Sequence, residues 1–256
     1  MLAAFTRLVQ RQQRNGGLSP ATERAIAVAL RGLPVTNTKK RARRSPAVRG
    51  VVNAFNRLYY ADHGTWRSNS WLGVRTWKCP TDLWLYQEVI AKLRPGLIIE
   101  TGTAFGGSAM FLAWVCDAIG HGQIVSIDIE PKVPVEQLPS HPRVRYLTGS
   151  STDPAIVEQA LAMRVPGEPV LVMLDSDHRE AHVRDELMAY ADAVTPGSYL
   201  IVEDTNVNDH PVYASHGPGP WEAVDWFLKQ RPDFTVDRSM HRHHLTFNPR
   251  GYLKRS

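Results

Sequence analysis

Two short stretches hold most of the groups that could do chemistry: Leu174-Asp175-Ser176-Asp177-His178 and Val202-Glu203-Asp204-Thr205. Each closes an apolar run of the kind that forms a buried parallel strand, and in an open α/β sheet the carboxyl ends of such strands share one crevice. Asp175, Glu203 and Asp204 would therefore converge. Three carboxylates packed together push one another's pKa up, and a hard dication relieves that repulsion. All-oxygen donors select Mg2+, or another hard divalent cation such as Ca2+, over zinc. Such an ion also lowers the pKa of a hydroxyl bound to it. His178 lies three residues past Asp175 and, with an ordinary pKa of roughly 6.5, can accept a hydroxyl proton near neutral pH. In the competing reading Asp204 caps a loop, Glu203 pairs with an arginine, and His178 is structural.

A second constellation is Ile98-Ile-Glu-Thr-Gly-Thr-Ala-Phe-Gly-Gly-Ser108. It follows a strand and opens a helix, where glycine permits a tight turn and close backbone approach to a ligand. Gly102 and Gly106 do not have the G-x-G-x-x-G spacing of dinucleotide binders, and no Gly-Lys-Ser/Thr of a P-loop follows. Glu100 at the strand end would repel a pyrophosphate but receive a cationic amino group. That combination favours S-adenosylmethionine, which carries an ammonium and a sulfonium but no phosphate. Asp128 ends the next strand, where an acid commonly bonds ribose hydroxyls. Gly149-Ser150-Ser151-Thr152-Asp153 would line an adenine pocket. The expected cofactor set is Glu100, Gly102, Thr103, Gly106, Ser108, Asp128, Ser151, Thr152 and Asp175.

The elements that must position these groups alternate from residue 81 onward. Thr81 is expected to cap a helix that runs to Leu93 and ends at Pro95-Gly96. Strands are expected at Leu97–Glu100, Ile124–Asp128, Val144–Leu147, Val170–Leu174 and Tyr199–Val202. Helices fall over 107–119, about 154–164, 180–194 and, started by Pro220, to about Lys229. Phe234–Val236 and Leu245–Phe247 would form a closing antiparallel pair. The fold class is thus a doubly wound, mostly parallel α/β domain over residues 81–256. A helical, basic N-terminal extension with its linker occupies 1–60, with broken helical spacing over 1–32, a basic linker over 33–46 and a helix from about Ala47 to Tyr60. A loop over 61–80 carries Trp66, Trp71 and Trp77.

These segments resemble the cephalosporin hydroxylase-like family of S-adenosylmethionine-dependent O-methyltransferases, which includes rhamnosyl O-methyltransferases. The resemblance is carried by Pro80–Glu88, Ile98–Ser108, Ser126–Pro131, Gly149–Asp153, Leu174–His178, Tyr199–Thr205 and Thr246–Leu253, and covers residues from about 71 to the C-terminus. It implies a Rossmann-like class I methyltransferase fold. A wider likeness to metal-dependent catechol and macrolide-sugar O-methyltransferases implies that Asp175 and, twenty-eight positions later, the pair Glu203-Asp204 hold Mg2+. It also implies that His178 is the base, as in the sugar enzymes; the catechol enzymes have Lys there. Asp177 is an alternative or additional metal ligand. The implied reaction is methyl transfer to a hydroxyl of a sugar, glycoside or polysaccharide. The alternatives are O-methylation, or assisted hydroxylation or methoxylation, of an antibiotic-type natural product and, more remotely, a non-catalytic S-adenosylmethionine-binding protein. Trp66, Trp71 and Trp77 would then either face a sugar ring or serve as core aromatics. His210 and His216 either border the acceptor pocket or belong to a plain loop, and Arg242-His243-His244 reads as a solvated loop.

Composition narrows the partners. The chain has 256 residues, 30 Lys and Arg against 25 Asp and Glu, and 43% apolar residues, enough for a packed core. Residues 1–49 hold eleven of the basic residues and a single acid, Glu23, so the remainder is net acidic. That remainder, and the lack of aromatic residues beside Lys39–Arg44, argue against nucleic acid. Apolar runs fall short of the roughly 18–20 residues of a membrane span, and no signal-peptide pattern is present. Cys79 and Cys116 make neither a disulfide framework nor a zinc spacing. The expectation is a soluble, cytoplasmic enzyme acting on a small-molecule or oligosaccharide acceptor, with a homo-oligomer compatible with its long helices.

Overall fold

The computed structural model describes residues 46–62 and 64–256, so the readings of residues 1–45 lie outside the described residues. The chain divides into two compact units, residues 1–64 and 65–256. Within the first, α1 spans Pro46–Arg57 and widens into a π-turn over Leu58–Asp62, with Phe55 stacked on Tyr59.

The second unit opens with a two-strand ribbon, β1 Ser70–Trp71 and β2 Val74–Arg75. The alternating elements follow: α2 Pro80–Leu93, β3 Leu97–Thr101, α3 Gly107–Ile119, β4 Gln123–Asp128, β5 Val144–Thr148, α4 Pro154–Leu161, β6 Val170–Leu174, α5 Glu180–Tyr190, β7 Tyr199–Val202, α6 Pro220–Gln230, β8 Phe234–Val236 and β9 Tyr252–Arg255. Seven strands form one sheet in the order β5-β4-β3-β6-β7-β9-β8, parallel except for β9, which runs antiparallel to both neighbours. The order reverses direction between β3 and β6, the place where such sheets open a crevice at their carboxyl ends.

Strands β3 and β6 are buried on both faces, which explains their unbroken apolar runs. Side chains alternate across the sheet. Leu97, Ile99, Val172 and Leu174 pack with Leu187 and Tyr190 of α5 and Phe227 of α6. Ile98, Leu171 and Met173 face Tyr86 and Ile90 of α2 and Leu112 of α3. Each fully buried Leu or Ile of this kind contributes about 1.5–3 kcal/mol.

Two local expectations are corrected. No side chain caps α2: Cys79 is its N-cap, Pro80 fills the first position, and the Thr81 hydroxyl donates to the Leu245 carbonyl at 2.5 Å. The partner of β8 is β9, not Leu245–Phe247. The 245–247 segment is instead held by Asp82 of α2, a fully buried carboxylate. It accepts from the Thr246 hydroxyl at 2.6 Å, the Phe247 N–H at 2.8 Å and the Tyr252 hydroxyl at 2.9 Å. Burial pushes its pKa up to about 6 against the pull of these donors. Asp82→Ala leaves three buried donors without an acceptor, and a loss of about 2–4 kcal/mol in urea denaturation is expected.

Candidate active site

The glycine turn after β3 is built by positive φ at Gly102 (+88°) and Gly106 (+78°). A Cβ on Gly102 would lie 2.0 Å from the Asp175 carbonyl oxygen, so only glycine lets the turn press against the end of β6. Around it, the Thr103 hydroxyl meets that of Ser126 at 2.8 Å, and Asp128 accepts the Ala104 N–H at 2.9 Å. Asp128 thereby ties the turn to the end of β4. Ser108 is buried in the first turn of α3.

Glu100 is wholly buried and faces the α2–α3 side. Its Oε2 accepts from the Ser126 hydroxyl at 2.7 Å, while its Oε1 is buried with no hydrogen bond among the described residues. Burial raises its pKa. The Oε1 is a spare acceptor beneath the glycine turn, although Lys78 and Ser108 already pull the carboxyl's pKa down against its burial. Ser151 and Thr152 follow β5. The Ser151 hydroxyl donates to Glu186 at 2.5 Å, that of Ser176 reaches the same oxygen at 2.7 Å, and His182 lies 3.1 Å from Ser176. Thr152 is half-buried beside Ser150.

At the ends of β6 and β7, Asp175 and Asp204 come together with His178, and Glu203 is not part of that group. Donor atoms of Asp175, His178 and Asp204 all lie within 4.8 Å of one another, compact enough for one cation. The two carboxylates of this set suit a hard cation such as magnesium, while the imidazole of His178 is a ligand type shared with zinc. His178 Nε2 stands 3.1 Å from Asp204 Oδ2. Burial alone would lower the imidazole's pKa, but the carboxylates of Asp204, Asp175 and Glu203 raise it to about 9. Asp204 has φ +51°, an uncommon conformation for a residue other than glycine. Its N–H donates to Asn248 Oδ1 at 3.0 Å. Asp177 is not in this group and is instead bound to the Arg179 backbone and guanidinium, which hold its pKa down to about 2.

Glu203 has a different neighbour. The ammonium of Lys78 lies 2.6 Å from Glu203 Oε1 and also pairs with Asp175 Oδ2. Burial would lower the pKa of Lys78, but Asp175, Glu203 and Glu100 together hold it well above its ordinary value. Burial likewise raises the pKa of Asp175 and Glu203 against the pull of Lys78. Sequence reasoning passed over Lys78 because it sits in the Trp-rich segment, 97 and 125 residues from its partners. The available signal was a lone cation between Trp77 and Cys79, just before an apolar helix.

The tryptophans divide. Trp66 and Trp77 meet edge to face at 5.9 Å; Trp77 reaches Phe105 of the glycine turn at 5.0 Å, and Trp66 reaches Phe247 at 5.8 Å. Trp71 instead packs on Phe111 of α3. His210 stacks on Trp221 and lies 2.9 Å from Glu222, and His216 is exposed. His243 and His244 are exposed as well.

Known proteins resemble this chain in both sequence and fold. A sequence profile described as "Rhamnosyl O-methyltransferase/CmcI" matches residues 63–256. Rhamnosyl O-methyltransferase of Mycobacterium tuberculosis (strain ATCC 25618 / H37Rv) is 35% identical over 211 residues, covering 80% of this chain and 85% of that protein. The Mycobacterium leprae (strain TN) protein of the same name is 35% identical over 210 residues, covering 80% and 90%. A solved CmcI structure described as Mg-SAM shares the fold with a TM-score of 0.57 at 21% identity, covering 74% of this chain and 77% of its own.

Proposed function

The chain belongs to the rhamnosyl O-methyltransferase/CmcI family of S-adenosylmethionine-dependent O-methyltransferases, and from that premise we propose that it transfers a methyl group from S-adenosylmethionine to a hydroxyl of a sugar or glycoside, with a divalent cation at the acidic cluster. The observation that carries this reading is the meeting of the glycine turn with the Asp175–His178–Asp204 cluster across the β3–β6 switch point. The mycobacterial relatives named for rhamnosyl methylation support the sugar.

Glu100 and the turn Gly102–Gly106 would hold the donor's cationic end, Asp128 its ribose, and the loop Gly149–Thr152 its adenine. Asp175 and Asp204 would hold Mg2+, joined by Glu203 where it exchanges Lys78 for the ion, and the bound ion would supply a positive charge that acidifies the acceptor hydroxyl. His178 Nε2 takes the hydroxyl proton; an O–C bond forms as the S–C bond breaks, and S-adenosylhomocysteine leaves. The chain's main contribution is to fix the two reactants in line. Trp66, Trp77, Phe105 and Phe247 supply flat faces beside the turn for an acceptor ring.

Incubation with methyl-labelled S-adenosylmethionine, Mg2+ and a panel of rhamnosides, other glycosides and antibiotic scaffolds is expected to place label on a glycoside hydroxyl oxygen. Label confined to non-sugar scaffolds would sink the sugar assignment, and no label on any acceptor would sink the reaction.

A further inference from the structure

Lys78 has no part in the proton transfer described above, yet it is the best-buried cation near the site. Its side chain is 3% exposed, and its ammonium touches Asp175 and Glu203, side chains that are themselves 17% and 4% exposed. Both carboxylates belong to the set that would hold the divalent cation. Asp175 thus pairs with Lys78 and also belongs to the donor group with His178 and Asp204. An ammonium and a dication against the same carboxylate repel strongly in a medium of low effective dielectric. Two buried carboxylates with neither cation beside them are also strongly disfavoured.

We propose that Lys78 is a resident counter-ion that holds Asp175 and Glu203 when no dication is bound and competes with the dication for them, thereby setting the affinity of the site for Mg2+. Lys78 is in this sense a positioning residue. The proposal rests on the metal assignment made under Proposed function.

The test is calorimetric titration of Mg2+ into the full chain and its Lys78→Met variant, without S-adenosylmethionine, beside melting curves in chelator and in Mg2+. The variant is expected to bind Mg2+ at least about tenfold more tightly. It should melt lower in chelator and gain more from Mg2+ than the parent does. A purely structural role would leave Mg2+ affinity unchanged or weaken it, so equal or weaker binding by a folded variant overturns the proposal and leaves the methyl-transfer reading intact. Binding by the variant alone supports the competition and removes Mg2+ from the resting parent enzyme. Binding by neither overturns both the proposal and the metal assignment. Should Lys78→Met fail to fold, the parent's Lys78 ammonium resonance, held by Asp175 and Glu203, should shift or broaden as Mg2+ is added. A resonance unmoved at saturating Mg2+ overturns the proposal.

Discussion

Asp204→Ala is expected to reduce methyl transfer by about 10^2–10^3-fold or more, the usual consequence of deleting one electrostatic anchor of a reacting oxygen. Asp204 supplies one corner of the compact donor group and is also the carboxylate against His178. Its removal therefore costs both the cation site and the orientation of the base. S-adenosylmethionine affinity should change little, because the glycine turn and Asp128 stand on β3 and β4, apart from the loop after β7. Transfer assays with and without chelator, beside calorimetry of the cofactor, check this. Full activity of the variant in chelator removes the metal from the reaction.

His178→Ala is expected to lower kcat by about 10^2–10^4-fold with little change in KM, as for the loss of a general base. The base must be neutral to accept a proton. In the metal-free chain the carboxylates of Asp204, Asp175 and Glu203 hold the imidazole's pKa up to about 9, and a dication on them would bring it down, so the parent rate should rise with pH through the ionisation of His178 at or below that value. That rising limb should vanish in the variant; if it survives unchanged, some other group takes the proton. Stability gives a second check. The folded pKa lies above the ordinary value of 6.5, so the His178–Asp204 pair stabilises the fold fully below about pH 6.5 and loses that contribution as pH rises through about 9. His178→Ala should flatten stability across that window.

The central strands and the helix from Gly107 to Ile119 were legible because doubly buried strands are written as short apolar runs and the helix is bracketed by glycines. That the ends of β6 and β7 share one crevice was legible for a similar reason, since topology alone brings strand ends together, and Asp175 and Asp204 do lie in one group there. What escaped were choices between equal local patterns and contacts between distant ones. Leu245–Phe247 and Tyr252–Arg255 carry similar strand signals, and the contest is settled by Asp82, whose need for donors pulls the first segment out of the sheet. Thr81 has a capping side chain, but Pro80 removes the need for one N–H partner and frees the hydroxyl for Leu245. The Lys78 contacts join residues that no window of sequence contains.

The Asp82 anchorage reaches further than the loop it holds. Thr246, fixed by Asp82, accepts the Asn248 N–H at 2.9 Å; Asn248 donates to the Tyr86 hydroxyl at 2.6 Å and receives the backbone of Asp204. A helix on one side of the sheet thus steadies an awkwardly bent residue at its rim through three polar links. Damage at the buried end of such a tether would surface as a faulty grip on the ion rather than as a loose loop. Variants that look merely fragile in this corner should therefore be screened for magnesium uptake as well as for melting.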